Sequence, residues 1–192
     1  MVVYNSFFEG IAHITDIGGY DHMLFLLVLI AGYTWADWKR ILWLITAFTL
    51  GHATTLICAG LGWISFSSNW IEFLISATIF TTALVRLISS SLQQKVDWKT
   101  YSIVAFFGLI HGVGFSTFFK MMFSQTNDMI LELLKFNLGV EVGQIIVVAL
   151  ILLLFTGIYT LLKTKKEWVA RLVLAMALVI SAFMVWEKAA NL

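Results

Sequence analysis

The stretch Phe136-Asn137-Leu138-Gly139-Val140-Glu141-Val142-Gly143-Gln144, continued as IIVVALILLLFTGIYTLL to Leu162, decides the fold. It runs 27 residues with one charged side chain, Glu141. A helix of that length reaches ~40 Å at ~1.5 Å per residue, more than the ~30 Å hydrocarbon core of a bilayer. Its polar residues share one face, because Asn137 and Glu141 stand at i, i+4 and Glu141 and Gln144 at i, i+3. The run therefore reads as a membrane-spanning helix with one polar stripe.

The rest of the chain agrees. Of 192 residues, 60% are apolar or aromatic and only 12% are charged, and mean hydropathy is +0.93. A soluble domain of this size has too much surface for that much apolar material. Net charge is +1, so the basic stripe that nucleic acid requires is missing. The lone cysteine, Cys58, lies in an apolar run and reads as a structural thiol. Met1 to Gly19 has no basic start, and Glu9, His13 and Asp16 interrupt its apolar residues, so it does not read as a signal peptide. Proline is absent; a helix break must come from glycine or from packing.

Six spans are predicted, at about 20–36, 41–63, 70–89, 101–119, 136–162 and 168–187. Residues 4–17 are expected to form an interfacial or re-entrant segment with Gly18-Gly19 as the break. The fold class is an all-α polytopic membrane bundle, with 1–192 as a single integral membrane domain. Lys39 and Arg40 fall between spans 1 and 2. Arg86, Lys95 and Lys99 flank the connection from 3 to 4. Lys163, Lys165, Lys166 and Arg171 flank that from 5 to 6. The other loops are poorer in cations, so these three are placed in the cytoplasm and both termini outside. Arg86, at a span end, reads as an interface anchor.

Ionisable groups inside spans are costly and point to function. Here they are His22, His52, His111, Glu72 and Glu141, with Asp21 and Gln144 beside them; His13 and Asp16 stand at the outer edge. His52 lies eleven residues after Ile41, roughly 17 Å from the inner face. His111 lies ten after Tyr101, at a matching depth, and the other groups fall in the same outer half. Neutral imidazole with carboxylate suits a borderline divalent ion such as Ni²⁺, Zn²⁺, Co²⁺ or Fe²⁺. The metal set predicted is His22, His52, His111, Asp21 and Glu141. His13, Asp16, Thr49, Glu72, Asn137 and Gln144 form a second tier. Thr49, three residues before His52, is the best placed of these to support it. Gly108/Gly112 and Gly139/Gly143 have the small-xxx-small spacing of close helix contacts.

Four strings resemble the HupE/UreJ family of bacterial membrane proteins. They are Gly19-Tyr20-Asp21-His22-Met23-Leu24-Phe25, preceded by His13-Ile14; Thr46-Ala47-Phe48-Thr49-Leu50-Gly51-His52-Ala53-Thr54-Thr55; Phe107-Gly108-Leu109-Ile110-His111-Gly112-Val113-Gly114-Phe115; and Phe136-Asn137-Leu138-Gly139-Val140-Glu141-Val142-Gly143-Gln144. They come in the family's order over roughly residues 9–150. The resemblance implies a bacterial inner-membrane protein of nickel uptake, a permease or facilitator.

The first functional reading is thus a divalent-metal permease, with Asp21, His22, His52 and His111 binding the ion and Glu141 balancing its charge. The alternative is an intramembrane Zn-type hydrolase acting on a lipid or membrane peptide, with Glu141 or Asp21 as base. The third is a structural or accessory membrane protein whose histidines bond helix to helix. The bilayer and a metal ion are the implied partners; nucleic acid is not.

Overall fold

The computed structural model describes residues 5–89, 92, 97–123 and 128–192; Lys95 lies outside them. Among the described residues the regular elements are helices. They are α1 (Ser6–Thr15), α2 (Tyr20–Ile30), α3 (Trp38–Gly60), α4 (Ser68–Ile88), α5 (Trp98–Phe123), α6 (Met129–Leu162) and α7 (Lys166–Ala189). The protein is an all-α polytopic bundle. The chain through α3, α4, α6 and α7 supplies four helices long and apolar enough to cross a bilayer. The 26 residues of α5 give it the length of a fifth crossing. The end where α3, α5 and α7 finish is called the upper end.

α1 and α2 are the two halves of a broken helix. α1 runs parallel to the first half of α6: the Ser6 hydroxyl donates to Glu132, Phe7 faces Gly139, and Ile14 meets Gly143. α2 runs parallel to α4: Asp21 shares a cavity with Glu72 and Ile75, and Leu29 and Ala31 meet Arg86. Both halves run downward. Between them the Asp16 carboxylate accepts the Gly18 N–H at 2.9 Å and starts a 3₁₀ turn over Ile17–Gly19. With no proline in the chain, Gly18-Gly19 makes the break. The helix within the first predicted span runs Tyr20–Ile30, and the segment expected to be interfacial or re-entrant carries the separate ten-residue helix α1.

Small residues explain why α1 is inside. A methyl added at Gly10 would overlap the Phe136 carbonyl, and one at Gly139 would overlap that of Phe7. Only glycine lets the two backbones touch there, and in lipid such close packing is the main attraction between helices. α3 and α5 are locked the same way and lie parallel. Gly51 abuts the Ala105 carbonyl, Gly108 that of Phe48, and Gly112 that of His52. The Thr55 hydroxyl donates across the contact to the Leu109 carbonyl at 2.7 Å. α4 and α7 are antiparallel, tied above by Glu72–Lys188 (2.8 Å) and below by Arg171 to the Leu87 carbonyl (2.9 Å). α2 sits among these pairs. Its apolar residues are buried nearly all round, as a central helix requires. α6, by contrast, exposes Leu138, Leu150, Leu153 and Leu154, a face suited to lipid.

Arg86 corrects the sequence reading of an interface anchor. Its guanidinium donates from one terminal nitrogen to the Leu29 carbonyl at 2.6 Å, and from the other to the Ala31 carbonyl and to that of Leu92 at 3.0 Å. It lies 5.2 Å from the Tyr33 ring centroid. The last carbonyls of α2 have no intrahelical partner, and Arg86 caps them.

Candidate functional site

The chain has four histidines, and the fold gathers all of them beneath the upper end. α1 brings His13, α2 brings His22, α3 brings His52 and α5 brings His111. Ring centroids are 4.5 Å apart for His13–His22, 5.3 Å for His22–His111, 5.8 Å for His13–His52 and 6.4 Å for His22–His52. Ligand atoms of His13, His22 and His52 lie within 4.8 Å of one another. The convergence follows from the helix contacts above. Gly108 and Gly112 seat α5 against Phe48 and His52, and Gly139 and Gly143 seat α1 so that His13 reaches the same level.

Hydrogen bonds fix which nitrogen each ring presents. His22 Nδ1 meets the Asp21 carboxylate at 3.1 Å. His111 Nδ1 meets the Phe107 carbonyl at 2.9 Å. Both partners only accept, so both Nδ1 atoms carry the proton. His52 Nδ1 meets Asn137 Oδ1 at 3.2 Å. The Asn137 amide N–H₂ is committed to the Leu133 carbonyl at 2.8 Å, which leaves its oxygen for His52. Three rings are therefore held with Nδ1–H donating and Nε2 bearing a lone pair. Nε2 of all four histidines is buried and has no hydrogen-bond partner. Buried polar atoms are normally satisfied, and four such nitrogens in one place make a candidate ligand site. An Nδ1–H donated to a carboxylate or carbonyl, with Nε2 free, is the usual arrangement of metal-ligating histidine.

The other predicted residues take different places. Asp21 Oδ1 accepts from both the backbone N–H and Nδ1 of His22, so Asp21 orients that ring. Glu141 is one turn below Asn137 on α6 and accepts the Thr46 hydroxyl at 2.6 Å. Thr46 lies six residues below His52 on α3, ~9 Å down the helix, so Glu141 stands apart from the imidazoles. Thr49 donates to Gln144 at 2.9 Å, and Asn137 holds His52 instead. Three side-chain bonds thus tie α3 to α6: His52–Asn137, Thr49–Gln144 and Thr46–Glu141. Asp16 and Glu72 line the mouth of a cavity of about 320 Å³, whose inner wall includes His13, His22 and His111. Glu72 also accepts the Ser68 hydroxyl at 3.2 Å.

His13 is the residue that hydropathy underrates. α1 has only ten residues, interrupted by Glu9 and His13, and fails any test for a span. The readable signal is Ser6, Gly10 and Ile14 at i, i+4, i+8, a buried stripe that matches the small face of Gly139 and Gly143. His13 adjoins that stripe and packs against Phe115, with ring centroids 4.1 Å apart.

Helices long and apolar enough to cross a bilayer, gathered around four histidines whose Nε2 atoms have no hydrogen-bond partner, define a polytopic membrane protein with a histidine cluster in its bundle. The HupE / UreJ protein family matches residues 1–188, essentially the whole chain, and the chain belongs to that family. Comparison with curated proteins and with solved structures finds no match.

Proposed function

We propose that the protein is a permease or facilitator for a divalent transition metal, with Ni²⁺ the first candidate, in the bacterial inner membrane. The observation that carries this reading is the set of four orphaned Nε2 atoms. The association of the HupE/UreJ family with nickel and cobalt transport or accessory roles supports it. The upper end faces outside, since Lys39, Arg40, Lys163, Lys165 and Lys166 belong to the lower end, and cations favour the cytoplasm; both termini are then outside.

In this reading the ion is the cargo. Asp16, Asp21 and Glu72 line the cavity that leads to the site and favour a cation at its mouth. His13, His22 and His52 take it up as neutral nitrogen donors, with His111 beside His22. Asp21, Asn137 and the Phe107 carbonyl keep the rings turned. No thiolate is present, so the ion is bound by borderline ligands from which it can leave. A carrier needs that compromise between entry and release. Asp21 acts through His22, and Glu141 supports the α3–α6 contact.

Elemental analysis of the purified protein, before and after dialysis against chelator, tests the proposal. An empty or exchangeable site that refills with one Ni²⁺ per chain supports it. One Zn²⁺ per chain that survives dialysis moves the reading to a metallohydrolase. No uptake of Ni²⁺, Co²⁺ or Zn²⁺ moves it to a structural role for the histidines.

A further inference from the structure

Two chambers are stacked along α2, α4 and α5. The upper one, about 320 Å³, is the histidine chamber. The lower one, about 220 Å³, reaches from Phe25 down to Arg86. A single layer of side chains parts them. Descending α2, His22 faces the upper chamber and Leu29 the lower, with Phe25 between. On α4, Ile75 lines the upper chamber and Thr81 and Thr82 the lower, with Ile79 fully buried between. On α3 the partition is Phe48, one turn below His52. The Phe25 and Phe48 centroids are 5.0 Å apart, and both rings abut His111, at 5.4 and 5.0 Å. Both phenylalanines are buried.

We propose that Phe25, backed by Phe48, is the partition the ion must pass, and that the lower chamber is its release route; this rests on the transport reading above. An apolar layer one turn thick gives a dication no ligand, so it holds the ion among the imidazoles until the rings part. The lower chamber has the opposite chemistry from the upper. Among the described residues no carboxylate and no imidazole lines it; its polar groups there are threonine hydroxyls, Tyr33 and the Arg86 guanidinium. A dication there finds weak ligands and a fixed positive charge, and does not stay. Affinity above and repulsion below give the directional drop that release needs. Phe25 is carried by α2, below the Gly18-Gly19 break, whereas Phe48 is carried by α3, locked to α5 by backbone contact.

The test uses the full chain in proteoliposomes and two readouts. The first is initial Ni²⁺ uptake reported by a trapped fluorescent chelator. Phe25→Ala raises it about tenfold, which corresponds to a modest fall in barrier, while Ni²⁺ stoichiometry in detergent stays that of the parent. Phe25→Leu gives a smaller rise and guards against a misfolded alanine variant. The second readout does not depend on transport. With Cys58→Ala removing the native thiol and Thr82→Cys placed in the lower chamber, an impermeant cationic thiol reagent is applied from the upper side. The cysteine is protected when Phe25 is present and reacts when Phe25→Ala is added. If the parent shows no uptake but the reagent result holds, the transport reading fails and the partition stands. If uptake by both Phe25 variants equals that of the parent, and Thr82→Cys reacts equally with and without Phe25, the proposal is overturned.

Discussion

Two buried groups of ionisable side chains, the upper histidines and the lower Arg86, are treated in opposite ways by the same bundle. Arg86 gives both terminal nitrogens to main-chain carbonyls and stacks on Tyr33; only its Nε is left over. His22, His52 and His111 use Nδ1 to hold their own orientation, and all four histidines leave Nε2 open. Both groups would be flagged by cost alone. The difference shows that burial does not separate function from structure; what separates them is whether the outward-facing atom has a partner. Arg86 is tied at both terminal nitrogens and keeps only Nε, whereas His22, His52 and His111 are each held on one side and open on the other.

The comparison can be broken most sharply at the imidazoles. His13→Ala, His22→Ala and His52→Ala are each expected to weaken Ni²⁺ binding by two orders of magnitude or more, beyond the ~10–100-fold typical of supporting residues. Calorimetric titration reads this, and the melting temperature without metal should fall for His22→Ala and His52→Ala, which strand Asp21 Oδ1 and Asn137 Oδ1 and leave a cavity. Full metal content in all three variants would remove the site. Arg86→Ala should cost stability only. It strands the Leu29, Ala31 and Leu92 carbonyls at ~1–3 kcal/mol each, which thermal unfolding in detergent detects, and it leaves Ni²⁺ affinity near that of the parent. A smaller effect is expected for Asp21→Asn. The ring of His22 loses its anionic partner, and affinity falls ~10–100-fold with stoichiometry kept. A fall to zero stoichiometry would instead make Asp21 a ligand. The smallest belongs to Lys188→Ala. Its pair with Glu72 is partly exposed on both sides, and such pairs contribute ~0–1 kcal/mol. Unfolding and Ni²⁺ affinity should both stay close to those of the parent.

Much of this was legible in the sequence, and the residues that escaped did so for physical reasons. Apolar length found the four helices long and apolar enough to cross a bilayer, because lipid imposes that length directly. Depth brought His22, His52 and His111 together because rise per residue is nearly constant. Depth says nothing about which way a side chain points. Glu141 shares the outer half with the histidines, yet its carboxylate is turned to Thr46. Thr49 lies on the His52 side of α3, yet its hydroxyl goes to Gln144. His13 escaped for a different reason. Its helix is docked on α6 through backbone contact with Gly139, and contact between small residues leaves no hydropathy signal. Arg86 was misread because its acceptors are carbonyls of α2 and of Leu92, which no side-chain pattern announces.

The break at Gly18-Gly19 has a mechanical consequence for the site. His52 and His111 belong to one body, since α3 and α5 touch backbone to backbone and hold the two rings at a set spacing. His13 and His22 lie on opposite sides of that break, one half packed on α6 and the other running beside α4. An ion held as proposed by His13, His22 and His52 would therefore join three separate helices, α1, α2 and α3. Two glycines that line no imidazole thus decide whether the first two of those rings can stand at one level.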